Sequence, residues 1–487
     1  MPGATGRLCD QRPTLFVRYP PHVARSCHLA NMGVPPQDYH RLPNRRCVCM
    51  LRLSLVHARP GMVLAMPVHH PLHPEVVLLK AGAPLDVHCI PRLRELLVNE
   101  VWIRYPGLEE LIRFVSPEVL ASYRDLTVCI GVALDTAIVQ TRVDMDFYPY
   151  KRAVMSVIDR LIEHPHAAIL VSELAGGDRP FVRHAGNTCV LSLLMGLKLE
   201  FYLVRERARL STWAARDISG LGVGAMFHDI GMTRLDPETL GRWNTTRDET
   251  DEQWQKHTVI GHDLVQGDLD PAAAAVVLHH HQRFNGGGFP PRTDLHGRLV
   301  PLAGSDIHIF ARIAACADLF DRLRNPPGAP RSDANASPPL PAVHALSQML
   351  QRPYREWLDP VVFLALLAVA PAYPPGSMVE ITGGRRAVVV DWSPEDPCRP
   401  VVEVLEDEAP SERAAAQRTR IDLRNSGGIE VTAIDGIDVR AHNFYPAVAG
   451  EFDLLRVGKA MVNAAPAEPA GLTNGKAATA GLARGSG

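Results

Sequence analysis

The pattern of apolar and polar residues changes several times along this chain of 487 residues. Residues 1–49 are rich in Pro, Arg and Cys and show no sustained period, which predicts disorder; alternatively, the biological start is Met32 or Met50. From residue 51 to residue 55, leucines alternate with other residues, as they do in a half-buried strand. Patterning typical of folded structure therefore begins at Met50.

The segment 50–116 predicts a small α+β module. A second strand is expected to open at Gly61-Met62, and a third at Val76–Leu79. Asp86 can then cap a helix that runs through Ile90–Val98, because its carboxylate can accept hydrogen bonds from the first free N–H groups. The chain returns as a strand at Val101–Arg104.

Helical periodicity dominates the next part of the chain. Pro117–Gln140 predicts a helix within a linker that covers 117–146. The apolar stripe of this helix fits packing against the following core and formation of a homodimer equally well. Residues 147–372 are mostly helical, and the Pro/Ala/Ser-rich stretch Asn325–Pro341 predicts an exposed loop.

Beyond Pro374 the pattern becomes typical of strands. The expected strands are Met378–Ile381, Ala387–Val390 and Val401–Leu405. Together they predict a β appendage over 373–411. Residues 464–487 are rich in Ala and Gly with few large apolar groups, which predicts a disordered tail.

Composition excludes several classes of protein. Apolar residues make up 46% and charged residues 21%, ordinary values for a globular protein. The net charge of −2 favours neither a nucleic-acid polymer nor a membrane surface as partner. An odd number of cysteines, nine, argues against a disulfide framework, and the lone pair Cys47 and Cys49 lacks the second pair of a zinc ribbon. No apolar segment is long enough to span a membrane, and the N-terminus lacks the apolar core of a signal peptide. We therefore expect a cytoplasmic protein.

Histidines and aspartates recur within apolar helical segments. The candidate metal ligands are His184, His228, Asp229, His257, His280, His281 and Asp318. The adjacent pair His228-Asp229 lies where an apolar helix ends, and Gly231 is expected to terminate that helix. An imidazole and a carboxylate on neighbouring residues can serve two ions, because a carboxylate can bridge.

Each of these residues also has a structural explanation. A single histidine on an apolar helix is usually a core residue with a hydrogen-bond partner, and Asp318 could pair with Arg312 or Arg322. Burying so many His and Asp side chains without partners would, however, cost several kcal/mol for each charged group. A shared cluster of metal ions satisfies them together, because imidazole and carboxylate suit Mn, Fe or Zn.

The order of these residues, with an HDIG segment at 228–231 and an HHxRxxGxGxP segment at 280–290, resembles the HD-GYP family. These bacterial proteins are phosphodiesterases that hydrolyse cyclic di-GMP. The resemblance covers about 150–405, including the strand series, and residues from Met50 resemble a small module often placed before such domains. The fold it implies is mainly α: a multi-helix HD-domain bundle with a small N-terminal α+β module and a C-terminal β appendage.

The resemblance implies two divalent ions, Fe, Mn or Zn, and roles for individual residues. His184, His228, Asp229 and Asp318 would hold the first ion. Asp229 would bridge to the second, completed by His257, His280 and His281. His228 and Asp229 are thereby the expected catalytic residues, and a water between the ions would attack phosphorus, opening cyclic di-GMP to pGpG or GMP.

The sequence departs from the family mainly where the substrate is expected. Met232 replaces a lysine that would meet a substrate phosphate, Gln282 replaces a glutamate, and Pro180 replaces a carboxylate that would bind a third ion. His262 and His279 have no counterpart. The expected substrate contacts are Asn285, Gly288, Phe289, Pro290, Asp321 and Arg352, the last from a segment Arg352-Pro-Tyr-Arg355 that resembles a substrate clamp.

Three functions remain open at this point. The first is a metal-dependent phosphodiesterase that acts on cyclic di-GMP. The second is a phosphohydrolase of the same kind that acts on another nucleotide, as the changes at Met232 and Phe289 suggest. The third is a receptor or scaffold with little or no catalysis that binds a cyclic dinucleotide.

Overall fold

The computed structural model describes residues 50–55, 57–70, 76–96, 98, 100–139, 147–166, 179–326, 339–405 and 419–463. The fold is mainly α, as the sequence predicts, with strands at both ends of the described chain. The predictions for 1–49, 464–487 and the Cys47/Cys49 pair lie outside these residues. So do the end of the predicted linker, 140–146, and most of the loop after Asn325.

The N-terminal module is built from two small antiparallel pairs and one helix. Its elements are β1 (Met50–Ser54), β2 (Val68–His69), β3 (Val77–Leu79), α1 (Cys89–Glu95) and β4 (Glu100–Arg104). Strand β1 pairs with β4, and β2 pairs with β3. The Asp86 carboxylate accepts hydrogen bonds from the backbone N–H groups of His88 and Cys89 at 2.8 and 2.6 Å, so it holds the turn before α1. The N-cap residue itself is His88, and the helix ends at Glu95, before the predicted Val98.

The strand expected at Gly61-Met62 is wrong. Gly61 has a φ of +91°, a conformation that suits a turn and that only glycine adopts readily. The backbone after it makes only isolated bridges, at Val63 and Leu64, before β2 begins at Val68.

Helices form the middle of the chain. The described helices are α2 (Pro117–Val139), α3 (Tyr148–Glu163), α4 (Pro180–Lys198), α5 (Glu200–Glu206), α6 (Thr212–Arg216), α7 (Ser219–Phe227), α8 (Pro237–Thr246), α9 (Glu252–Gln255), α10 (His257–Val265), α11 (Pro271–His279), α12 (Ile309–Arg324), α13 (Ala342–Met349), α14 (Tyr354–Trp357) and α15 (Pro360–Leu367). A small hairpin of two short strands, β5 (Arg292–Thr293) and β6 (Leu299–Val300), lies between α11 and α12.

Helices α4 and α7 lie at the centre of the bundle, and glycines in α7 allow its neighbours to pack closely against it. In α4 every residue from 185 to 196 is buried, and in α7 almost every residue is. A Cβ placed on Gly222 would lie 2.5 Å from Val154 of α3. One on Gly224 would lie 2.7 Å from the carbonyl oxygen of Ala273 in α11. The neighbouring helices therefore pack directly on the backbone of α7, which leads into His228-Asp229.

The C-terminal strands form one antiparallel sheet of six strands in the order β10-β9-β8-β7-β11-β12. Its elements are β7 (Met378–Ile381), β8 (Arg385–Asp391), β9 (Val401–Val404), β10 (Arg420–Asp422), β11 (Val431–Ile434) and β12 (Ile437–Asp438), followed by α16 (Leu454–Asn463). The sheet thus continues past residue 411, where the predicted appendage ends. Strands β10 to β12, two to four residues long, lie beyond the predicted series.

The sheet lies between the helical bundle and the N-terminal module. Along β8, Ala387 and Val389 belong to the core of the bundle, whereas Val388 and Val390 belong to the core of the N-terminal module. Successive side chains of a strand point to opposite faces, so this all-apolar run is a strand buried on both sides. The strand series therefore connects the two other parts of the molecule.

Within the described residues, no single helix has both the length and the apolar character needed to cross a bilayer. One pair of helices, Pro180–Lys198 and Glu200–Glu206, meets the criteria only in combination and is bent by 85°.

Candidate metal centre

Five segments of the bundle bring the predicted ligands together. They are α4 with His184, the end of α7 with His228-Asp229, the start of α10 with His257, the end of α11 with His280-His281, and α12 with Asp318. Two overlapping groups of side chains could each hold a metal ion: His184, His228 and Asp229 in one, and Asp229, His257, His280 and His281 in the other. Asp318 adjoins the first group. The role of these seven residues as ligands stays a prediction.

Gly231 holds a different position from the one expected. Helix α7 already ends at Phe227, and Gly231 lies in a 3₁₀ helix, Ile230–Arg234. A Cβ on Gly231 would lie 1.9 Å from the carbonyl oxygen of His257 and 2.6 Å from the backbone nitrogen of Gly261. The glycine therefore allows the backbone after His228-Asp229 to touch α10, and this contact brings His257 beside Asp229.

The Asp229 carboxylate lies between two pairs of histidines. Its Oδ2 atom is 3.5 Å from Nε2 of His228 and 3.7 Å from Nε2 of His184. Its Oδ1 atom is 3.4 Å from Nε2 of His257 and 3.5 Å from Nε2 of His280. Each oxygen thus faces its own pair of imidazoles, which is the arrangement of a carboxylate that bridges two ions.

Hydrogen bonds on the outer side of three histidine rings determine which ring nitrogen is left to bind a metal ion. The Nδ1 atoms of His228, His257 and His280 donate to the carbonyl oxygens of the residues three positions earlier, at 2.7, 2.7 and 3.0 Å. Each neutral ring then presents an Nε2 lone pair to the centre.

These lone pairs face one another at short range. Nε2 of His257 is 3.3 Å from Nε2 of His280, and Nε2 of His228 is 3.2 Å from Nε2 of His184. Two nitrogens bound at about 2.1 Å to one ion, at angles of 90–109°, lie about 3.0–3.4 Å apart. In the His257–His280 pair both Nδ1 atoms donate elsewhere, so two Nε2 lone pairs oppose each other at this distance and repel unless a cation lies between them. The donor set therefore fits a divalent metal ion.

Burial keeps two of these rings neutral. It lowers the pKa of His228 and of His257 to about 4. Both rings are therefore in the neutral form, which is the form that binds a metal ion. The Asp229 carboxylate is also largely buried and, within the described residues, pairs with no lysine or arginine. A buried carboxylate is costly without a counter-charge, and on the side of Oδ1, which faces His257 and His280, a metal ion would supply it.

His184 has a different environment, because carboxylates contact both of its nitrogens. Its Nδ1 atom donates to Oδ2 of Asp321 at 2.7 Å, and its Nε2 atom lies 3.2 Å from Oδ1 of Asp318. Burial alone would lower the pKa of His184, but the hydrogen bonds to Asp318 and Asp321 outweigh burial and raise it to about 10. Asp321 also accepts a hydrogen bond from Asn187 at 2.8 Å, and Asn187 in turn accepts one from Tyr123.

The hydrogen bonds of Asp321 to His184 and Asn187 suit it to orient His184, and its contact with a substrate stays a prediction. We expect Asp321→Asn to weaken binding at the His184 group roughly 10- to 100-fold, because an amide cannot accept both hydrogen bonds that the carboxylate accepts. Competition with a chelator for the bound ion measures this loss. The exposed control Asp159→Asn on α3 should leave the affinity unchanged; an equal affinity in Asp321→Asn would contradict the assignment.

The loop Gly288-Phe289-Pro290 packs against His281 and supports that ring. The Phe289 ring stacks on the His281 ring with centroids 4.8 Å apart, and Trp254 meets the same ring edge-on at 4.9 Å. A Cβ on Gly288 would lie 2.4 Å from the carbonyl oxygen of His281, so only glycine fits there. The carbonyl oxygen of Pro290 accepts a hydrogen bond from the Gln282 side chain.

Two other predicted substrate residues lie at the surface. Asn285 is exposed, and its side-chain oxygen accepts a hydrogen bond from the backbone N–H of Gly287 at 3.1 Å. The Arg352 side chain is 85% exposed and pairs with Glu356 at 2.7 Å. The structure shows neither side chain in contact with the metal cluster.

The sequence names Arg322 as a possible partner of Asp318, which the structure confirms, but sequence reasoning missed Glu249 and the indole beside the centre. Arg322 pairs with Asp318 at 2.8 Å and with Glu249 at 2.6 Å, and Glu249 also pairs with Arg283 at 2.8 Å. The spacing of four between Asp318 and Arg322 is an available signal, since such residues are neighbours on a helix. Nothing in the sequence singles out Trp254, which contacts His257 and His281.

Comparison with known proteins finds a family model, a curated protein and solved structures that are similar to this chain. The model of the HD domain family matches residues 191–362. A cyclic di-GMP phosphodiesterase of Pseudomonas aeruginosa is 25% identical over 310 residues, which are 61% of this chain and 64% of that protein. This chain thus spans somewhat less than two thirds of that relative. The solved structure of a Bdellovibrio bacteriovorus protein, described as an HDG"Y"P protein, is 15% identical; the match covers 65% of this chain and 98% of that one, with a TM-score of 0.38.

The matched family region begins within α4 and ends within α15, and it contains His228-Asp229 and all the predicted ligands except His184. Over this region the chain is similar to the HD domain family, and the resemblance inferred from the sequence is confirmed at the level of that family.

Proposed function

We propose that this protein is a metal-dependent phosphodiesterase that hydrolyses cyclic di-GMP to pGpG or GMP. The observation that carries the proposal is the position of Asp229, whose two oxygens each face a separate pair of imidazole nitrogens. A shared carboxylate between two sets of nitrogen donors fits two ions about 3.5–4 Å apart, the spacing used in phosphoester hydrolysis.

The residues of the chain divide between holding the ions and fixing the rings. His184, His228 and Asp318 would hold the first ion with Asp229, and His257, His280 and His281 would hold the second. Divalent ions bound there would polarise the phosphoryl oxygens and lower the pKa of water. The carbonyl oxygens behind three rings, and Asp321 behind His184, keep the nitrogens aimed at the centre. Rigid donors of this kind need no rearrangement during the reaction.

The choice of substrate rests on a relative. The Pseudomonas aeruginosa protein named as a cyclic di-GMP phosphodiesterase matches 61% of this chain, although at only 25% identity. The changed residues beside the centre bear on the same choice. Met232 is buried in an apolar cluster with Trp243, Trp254 and Phe289 and brings no charge to a phosphate. This observation favours, as a second candidate, a related phosphoester as the preferred substrate.

Chromatography of cyclic di-GMP after incubation with the protein, loaded in turn with Fe, Mn and Zn, tests the proposal. We expect linear pGpG or GMP to appear with at least one metal, and none with His228→Ala under the same loading. Turnover that persists in His228→Ala would remove the assigned centre from the reaction. Intact cyclic di-GMP at every loading, together with cleavage of another nucleotide, would establish the second candidate instead.

A further inference from the structure

Arg247 lies at the end of a row of aromatic rings that starts at the metal centre. Its guanidinium carbon is 5.1 Å from the ring centroid of Trp243. Trp243 stacks on Trp254 with centroids 3.7 Å apart, and Trp254 contacts the rings of His257 and His281 at 4.7 and 4.9 Å. One pair of stacked indoles therefore separates Arg247 from two predicted ligands.

The backbone of Arg247 is in an uncommon conformation. The residue follows α8 directly with a φ of +52°, in the left-handed region that residues other than glycine rarely adopt. Its N–H group donates to the carbonyl oxygen of Trp243 at 3.0 Å, which closes the end of the helix. This turn places the arginine beside the same indole that its side chain covers.

Arg247 differs from Arg322 and Arg283 in having no carboxylate partner among the described residues. Arg322 pairs with Asp318 and Glu249, and Arg283 pairs with Glu249. Among the described residues Arg247 makes no ion pair and no side-chain hydrogen bond, and it is exposed. Its five N–H donors are therefore available to a ligand.

The charges of the centre act on this arginine. Partial burial and the neighbouring Arg322 lower the pKa of Arg247, whereas Asp229, Asp318 and Asp321 raise it. An arginine remains protonated under such influences. The carboxylates that influence it are those of the predicted metal centre, so an anion held there would also interact with this cation.

The wall beneath Arg247 offers no competing charge. Met232, Trp243, Trp254 and Phe289 form one apolar cluster beside the centre. A phosphodiester carries a negative charge that this cluster cannot meet, whereas a guanidinium at its edge can bind phosphate oxygens with two donors at once.

We propose that Arg247 binds a non-bridging phosphoryl oxygen of the substrate and so supplies the positive charge that the apolar wall lacks. This inference rests on the proposed function of the centre as a phosphoesterase. It does not depend on cyclic di-GMP as the substrate, since every phosphodiester presents such oxygens.

The test compares Arg247→Gln and Arg247→Lys with the wild-type protein and a matched control. The control is Arg160→Gln, which removes the same charge from an exposed pair with Glu163 on α3. Two readouts are used for the manganese-loaded protein: the affinity for inorganic phosphate by calorimetry, and KM and kcat for cyclic di-GMP and for bis(p-nitrophenyl) phosphate.

In Arg247→Gln we expect phosphate affinity to fall, and KM to rise, roughly 10- to 100-fold, with kcat changed less than about threefold. Arg247→Lys should recover part of the loss, and Arg160→Gln should behave as wild type. Phosphate affinity and KM within twofold of wild type in Arg247→Gln would overturn the inference, as would a wild-type protein that binds no phosphate. Cleavage of bis(p-nitrophenyl) phosphate but not of cyclic di-GMP, with the same Arg247 effect, would overturn only the proposed substrate.

Discussion

Asp229→Asn should abolish hydrolysis and reduce the metal content from two ions per chain to one or fewer. An amide has nearly the same shape as the carboxylate but lacks its charge, and its nitrogen cannot serve as a ligand. The amide oxygen can serve only one ion, so the other ion loses its donor and the bridge is lost, since Oδ1 faces His257 and His280 while Oδ2 faces His184 and His228. We expect activity to fall roughly 10³-fold or more. Elemental analysis of the purified variant and a rate assay measure the two effects.

The matched control for this variant is Asp263→Asn, an exposed aspartate on α10 whose side chain is 63% accessible. It should retain two ions and the wild-type rate. Asp229→Asn with two ions and undiminished activity would show that the carboxylate does not bridge. A circular dichroism spectrum and an unfolding midpoint close to wild type would show that the loss is local.

Gly231→Ala should destabilise the protein and weaken the second group of ligands. The added methyl carbon would lie 1.9 Å from the carbonyl oxygen of His257 and 2.6 Å from the nitrogen of Gly261, both backbone atoms that no side-chain rotation can move away. The 3₁₀ helix and α10 must separate, which displaces His257. We expect the free energy of unfolding to fall by about 3 kcal/mol, and denaturant titration measures it.

Gly241→Ala provides the control for this effect. Gly241 lies within α8, and nothing is within 4 Å of the position its Cβ would occupy. Alanine there should stabilise the protein by about 0.5–1 kcal/mol, because glycine is a poor helix former. Equal stability of Gly231→Ala and the wild-type protein would mean that the contact between the two segments is looser than the structure has it.

The sequence indicates the ligand set because of its chemistry. Seven His and Asp residues in apolar segments would be costly to bury singly, so their number points to a shared cation. The structure brings all of them into one place, with Asp229 between the histidine pairs. What the pattern does not reveal is how they are held: the contact at Gly231, the ring of Trp254 and the pairing of Glu249 with two arginines all depend on segments far apart in the chain.

The fold, too, is only partly predictable from the sequence. Long amphipathic helices such as α2 follow from periodicity, and the structure shows this helix from Pro117 to Val139, the last described residue before 147. The place of the C-terminal sheet does not follow, because the run Ala387–Val390 shows only that a strand is buried. It does not show that one face packs on the bundle and the other on the N-terminal module. Ion pairs from Arg113 to Asp391 at 3.0 Å and from Arg420 to Glu110 at 2.7 Å flank this junction.

X-ray diffraction at the manganese absorption edge, from crystals of the manganese-loaded protein, tests the central claim most directly. We expect two anomalous peaks about 3.5–4 Å apart, one beside His184, His228 and Asp318 and the other beside His257, His280 and His281, with Asp229 between them. A single peak, peaks away from Asp229, or no peak at full loading would contradict a dinuclear centre at this carboxylate.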